Sequence, residues 1–187
     1  MNVGGITSNY PMEYGIKRTQ KTTPDECFAG RTEWVNSGQG FVLHCFDNEA
    51  DEEVVGACTL GKSGSATVYK PVDFDPENPI YKVKVWDADG NMTERMADIS
   101  KIDPQRSDFI DMFAYSSHLS TSGQFPDAQG TLWRASANPY GLGTVYDSPF
   151  DRMNWVDIVK DAMQSQYDVG NFAGYMAYKK FWDYLTQ

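Results

Sequence analysis

Four short runs of branched and aromatic residues lie between positions 40 and 99: FVLHCF at 41–46, EVVGACTL at 53–60, SATVYK at 65–70 and IYKVKVW at 80–86. Each is bounded by turn formers, and runs of that length and make-up predict β-strands. In IYKVKVW the period is two, with Tyr81, Val83 and Val85 on one side and Lys82 and Lys84 on the other. That alternation predicts an antiparallel strand with one face buried and the other wet. Asp89-Gly90 then offers a turn able to take positive φ, and MTERMADI at 92–99 reads as a return strand, so 80–99 is expected to form a hairpin.

The spacing changes after Ile99. Asp103-Pro104 has the form of an N-cap followed by a first-turn proline, and Phe109, Met112, Phe113 and Ser116 share one helical stripe. A helix to about Leu119 is expected. Residues 120–148 mix Gly, Pro, Ser and aromatics with two β-compatible pieces, TLWRA and GTVY, and read as a long loop of the kind that carries function. Two further helices follow, one carrying Trp155, Ile158, Val159, Ala162 and Met163 at helical spacing, the other Tyr175, Tyr178, Trp182 and Leu185. Val169-Gly170-Asn171 separates them, so a helical hairpin packed on the sheet is expected. Residues 1–26 are polar and without period, as a flexible arm would be. The fold expected is α+β: an arm at 1–26, then a single domain at 27–187 with an antiparallel sheet of about four to six strands and three helices.

Composition narrows the function. Among 187 residues, 26 are acidic and 16 basic, a net charge of −10, the wrong sign for gripping nucleic acid or an anionic membrane surface. No run reaches the roughly 18 apolar residues of a spanning helix, and the first twenty residues lack the apolar core of a secretory signal. Cys27, Cys45 and Cys58 are an odd set in a chain of a length that needs no disulfide staples. A reducing, cytoplasmic setting is the default expectation, with export that uses no cleavable signal as its alternative.

Several motifs suggest chemistry and then lose their context. Residues 56–63, GACTLGKS, match the phosphate-cradling pattern GxxxxGK[ST]. That loop needs a helix behind it, whereas Gly64, Thr67, Val68 and Pro71 predict a strand, so a hairpin turn is the stronger reading. Asp87, Asp89, Asn91 and Glu94 resemble a shortened calcium loop, but the same letters spell a hairpin turn. The acidic run at 47–53 reads as a solvated connection. For zinc, His44, His118 and the three cysteines have no preorganising spacing, so no metal and no cofactor is assigned. Ser117 adjoins His118 on a predicted helix, where side chains one residue apart diverge. Cys58 with His118 remains a nucleophile and base pair that only tertiary structure could assemble; a pair of carboxylates is equally open.

The aromatic excess is the remaining signal. Phe125, Trp133, Arg134, Tyr140 and Tyr146 are interleaved with Gly and Pro in the long loop, a mixture that suits presentation of flat faces to a partner. The alternative is that these rings fill the core.

The segment IYKVKVWDADGNMTERMADISKIDPQRSDFIDMFAYSSHL, 80–119, resembles a family of short bacterial proteins of unknown function, with a hairpin, an Ile-Asp-Pro step and a helix bearing Met-Phe-Ala. The resemblance implies no activity, and it favours a binding or assembly role. The leading expectation is a non-catalytic binding or assembly module that recognises a protein or an extended polymer through Phe125, Trp133, Arg134, Tyr140 and Tyr146, with self-association possible. The alternatives are a small hydrolase using Cys58 and His118 or a carboxylate pair and, more remotely, nucleotide binding at 56–63.

Overall fold

The computed structural model describes residues 52–60, 64–87, 89–137 and 143–187. The expected arm at 1–26, the FVLHCF run, Cys27, His44, Cys45 and Tyr140 lie outside these. Among the described residues four strands are formed: β1 (Glu53–Thr59), β2 (Ser65–Lys70), β3 (Ile80–Trp86) and β4 (Met92–Asp98). They pair in chain order as an antiparallel meander. A 3₁₀ turn (Ile99–Lys101) leads to α1 (Phe109–Thr121), α2 (Ala128–Ser136), α3 (Trp155–Asp168) and α4 (Phe172–Leu185). The protein is therefore α+β, with four helices among the described residues where the sequence predicts three.

Register explains how the sheet meets the helices. Val83 stands between Val68 and Arg95, Val85 between Ala66 and Thr93, and Tyr81 opposite Ala97. Ala66, Val68, Tyr81, Val83, Val85 and Ala97 thus line one face, and they join Phe109, Ile110, Met112 and Phe113 of α1 in one buried cluster. Gly56 on β1 permits this approach: a Cβ there would lie 2.5 Å from Ser117 Oγ and 2.7 Å from Gln129 Nε2. An isolated glycine within a strand commonly marks such a close contact.

The expectation of a wet second face fails at the central strands. Thr67, Tyr69 and Lys84 on that face are all buried, while Met92, Glu94 and Met96 on β4 are exposed. Lysine tolerates such a position by burying its stem and placing its ammonium on a ring; Lys84 Nζ lies 5.2 Å from the Tyr69 ring. Lys82 is ion-paired with Glu52.

The β3–β4 hairpin forms as expected. Asp87 Oδ1 accepts the N–H groups of Asp89 (2.9 Å) and Asn91 (2.8 Å), its Oδ2 accepts Asn91 Nδ2 (2.9 Å), and Gly90 takes φ +84°. The carboxylate that resembled a calcium ligand is spent on the turn, and its pKa is lowered chiefly by the Asn91 side-chain hydrogen bond.

Two helical expectations need correction. Asp103-Pro104 does not open α1. Asp103 Oδ1 accepts the Gln105 N–H at 2.9 Å and its carbonyl the Arg106 N–H at 2.9 Å, closing one isolated turn. Ser107 is then drawn into an antiparallel bridge with Met153, so α1 starts only after Asp108, whose Oδ1 accepts the Asp111 N–H at 2.9 Å. The local capping signal was sound, but a partner 46 residues away in sequence overrode it.

The second correction concerns 120–148, which contains α2. Ala128, Thr131, Leu132 and Ala135 are all buried, and their i, i+3, i+4, i+7 spacing is helical. The β propensity of Thr-Leu-Trp misled the reading because propensity is weaker than a buried stripe.

The C-terminal helical pair forms as expected, with Gly170 at φ +73° between the helices. Asn154 caps α3 and Asn171 caps α4, accepting N–H bonds from Asp157 and Gly174. The pair makes its main helix contacts with α2, and side chains tie it to α1, the Phe109 and Trp155 rings lying 6.0 Å apart. Tyr115 on α1 donates to the Tyr184 carbonyl at 3.0 Å, and buried Trp155 donates from Nε1 to the Ser107 carbonyl at 2.9 Å.

Candidate functional site

Where Gln129 of α2 meets β1, a depression of about 560 Å³ opens between that strand and the helices. Its walls come from Ala57, Cys58 and Thr59 of β1, Phe113 of α1, and Gln129, Gly130, Trp133 and Arg134 of α2. Gln129 clips the two layers together, its Nε2 donating to the Val55 carbonyl at 2.8 Å and to Ser117 Oγ at 3.0 Å. The missing side chain at Gly130 keeps the helix surface low beside the opening; a Cβ there would lie 2.5 Å from Asp127 Oδ1.

Because Leu132 and Ala135 take the core-facing stripe of α2, Trp133 is turned outward and stays 55% exposed. Arg134 beside it donates to Asp127 Oδ2 at 2.6 Å and to Thr131 Oγ1 at 3.1 Å. The guanidinium is thus held at the rim, where five donors leave it able to take a further acceptor. Cys58 in its wall is half-buried, and burial pushes its thiol up to about 12, so near neutrality it is protonated and behaves as a small apolar surface.

The sequence-predicted residues separate into distinct roles. Trp133 and Arg134 belong to this depression. Phe125 is in the core at 6% exposure, its ring 6.0 Å from Phe181 and 6.3 Å from Tyr184, with Lys180 Nζ 4.9 Å from its centroid. Tyr146 is half-buried, 5.2 Å from Phe109 and 6.4 Å from Trp155 between centroids, and its phenol is pushed well up, chiefly by burial. For Phe125 the core-filling reading prevails.

Cys58 and His118 are not brought together. Cys58 stands opposite Ala66, which faces Val85. His118 Nδ1 lies 3.1 Å from Tyr81 Oη, and Tyr81 is four residues from Val85, roughly 13 Å of strand. The 56–63 motif also lacks its helix: 56–59 belong to β1, and the next described element is β2. Reasoning from sequence missed Phe113, Gln129 and Gly130 as pocket residues. One signal was present, since a lone Gly56 within a strand pattern marks a backbone approached closely by another element. Among the described residues no group of three or more His, Cys, Asp or Glu side chains is arranged to hold a metal ion, and no helix is long and apolar enough to cross a membrane. Comparison of the chain with protein-family models, curated proteins and solved structures finds no match.

Proposed function

We propose that the protein is a binding module whose partner is another protein, and that the partner inserts an aliphatic or aromatic side chain into the depression between β1 and α2. The observation that carries this reading is Trp133, a large ring left 55% exposed beside an opening that Ala57, Cys58 and Phe113 make largely apolar. Exposed tryptophan with a neighbouring arginine is the composition of an interface anchor, where a few residues supply most of the affinity. A carbohydrate polymer fits less well, because sugars need several free polar groups around the ring. Here the Gln129 amide nitrogen is already engaged by Val55 and Ser117.

Selection of the full chain against a displayed library of random peptides tests the reading. Enriched peptides should share one apolar anchor position and bind saturably in solution. Trp133→Ala should weaken that binding at least tenfold, the loss of a central aromatic contact costing about 2 kcal/mol, while the melting temperature holds because the side chain is outside the core. Peptides that bind the Trp133→Ala chain as tightly as the parent would overturn the proposal.

A further inference from the structure

The sheet has a second buried face, outside the core it shares with the helices. By register Ser65, Thr67 and Tyr69 of β2 share that side with Trp86, Lys84 and Lys82 of β3. Ser65, Thr67, Tyr69 and Lys84 are all buried. Tyr69 is among the largest fully enclosed side chains, yet it is not part of the core cluster in which Val68 and Val83, on the other side, meet α1. A lysine left only 3% exposed and an enclosed tyrosine on the side away from the helices require a cover of their own.

The buried strip is narrow. Ala57, opposite Thr67 on β1, is exposed, and so are Met92, Glu94 and Met96 on β4. The cover thus spans two strands, about 10 Å, the width of a single chain segment. A second copy or a separate protein would hide about 800 Å² and so reach the flanking strands as well.

The chain itself arrives at this strip. Glu52, the residue before β1, is ion-paired with Lys82, so the backbone enters β1 beside the second face. Among the residues before Glu52, FVLHCF at 41–46 is the densest apolar run. Phe46 precedes Glu52 by six positions, a reach of up to about 20 Å, which is the length of β2 or β3. The other stretches outside the described residues, 61–63, 88 and 138–142, are at most five residues long.

We propose that the strip over β2 and β3 is a docking surface for residues 41–46 of this same chain, which shield Thr67, Tyr69 and Lys84 from water. This surface does not rest on the function proposed for the Trp133 depression.

Acetylation of the full chain, read lysine by lysine by mass spectrometry, provides the test. Lys84 should react at least about tenfold more slowly than Lys101, whose side chain is 81% exposed, and the ratio should hold on dilution. Phe41→Asp with Leu43→Asp, and Val42→Asp with Phe46→Asp, address the two sides of the run. At least one pair should speed Lys84 acetylation about tenfold while the helical circular dichroism is kept. A second measurement does not depend on those variants folding: p-benzoylphenylalanine placed at 42 or at 43 should, on irradiation, form crosslinks within one chain to the peptides of β2 or β3. The inference is overturned by Lys84 reacting as fast as Lys101 in the parent, by protection that falls on dilution as a second copy would give, by folded variants that both keep Lys84 protected, or by crosslinks from neither position to those strands.

Discussion

Asp108 is one of the residues that tie the sheet to the helical layer, and its removal has a calculable cost. Its Oδ1 caps α1 by accepting the Asp111 N–H at 2.9 Å. Both of its oxygens also receive the Arg95 guanidinium from β4, at 2.8 and 2.5 Å. Loss of an N-cap costs about 1 kcal/mol. Charge-assisted hydrogen bonds contribute about 1.5–3 kcal/mol; the low end applies here because the Arg95 side chain is 32% exposed and keeps Asp111 as a partner. Asp108→Ala should therefore destabilise the fold by about 2.5 kcal/mol, which for a chain of this size lowers Tm by roughly 5–10 °C. Asp108→Asn retains the capping oxygen and should lose only about half as much. Urea unfolding followed by circular dichroism measures both, with an unchanged m-value as the check that the unfolded state is the same. A double-mutant cycle with Arg95→Met should give a coupling of at least about 1 kcal/mol. A cost for Asp108→Ala below about 0.5 kcal/mol, or no coupling, would refute the assignment of Asp108 as both cap and tie.

Two other outcomes follow from the packing. Gly56→Ala would push a methyl group to 2.5 Å from buried Ser117 Oγ and 2.7 Å from Gln129 Nε2; thermal or urea unfolding should show a loss of about 1–3 kcal/mol from overpacking, partly relieved by adding Gln129→Ala. Burial lowers the pKa of His118 below its usual value, so its contribution to stability is complete above the unfolded-state value near 6.5 and is lost as pH falls through the lower folded value. His118→Gln should flatten that acid-side decline in a series of unfolding curves between pH 7 and pH 4, and an unchanged slope would remove His118 as its source.

The short-range part of this protein was legible in its letters. IYKVKVW and SATVYK carry their strand bounds, Asp87 and Gly90 their turn, and Trp155 to Leu185 the helical pair, because period, turn chemistry and capping act within a few residues. Three features depended on distant contacts. The start of α1 moved to Asp108 because Met153 captured Ser107, and α2 emerged because Leu132 and Ala135 found a core to enter. Lys84 is buried on the face its alternation marks as wet, with its ammonium over the Tyr69 ring of the neighbouring strand. The depression beside Trp133 belongs with these: Trp133 and Cys58 are 75 positions apart, and no local pattern encodes which residues the packing of layers will set side by side. Local preferences decide what each segment can become, but burial of a shared core decides which side chains are left over at its margins, and those margins are where a ligand can be met.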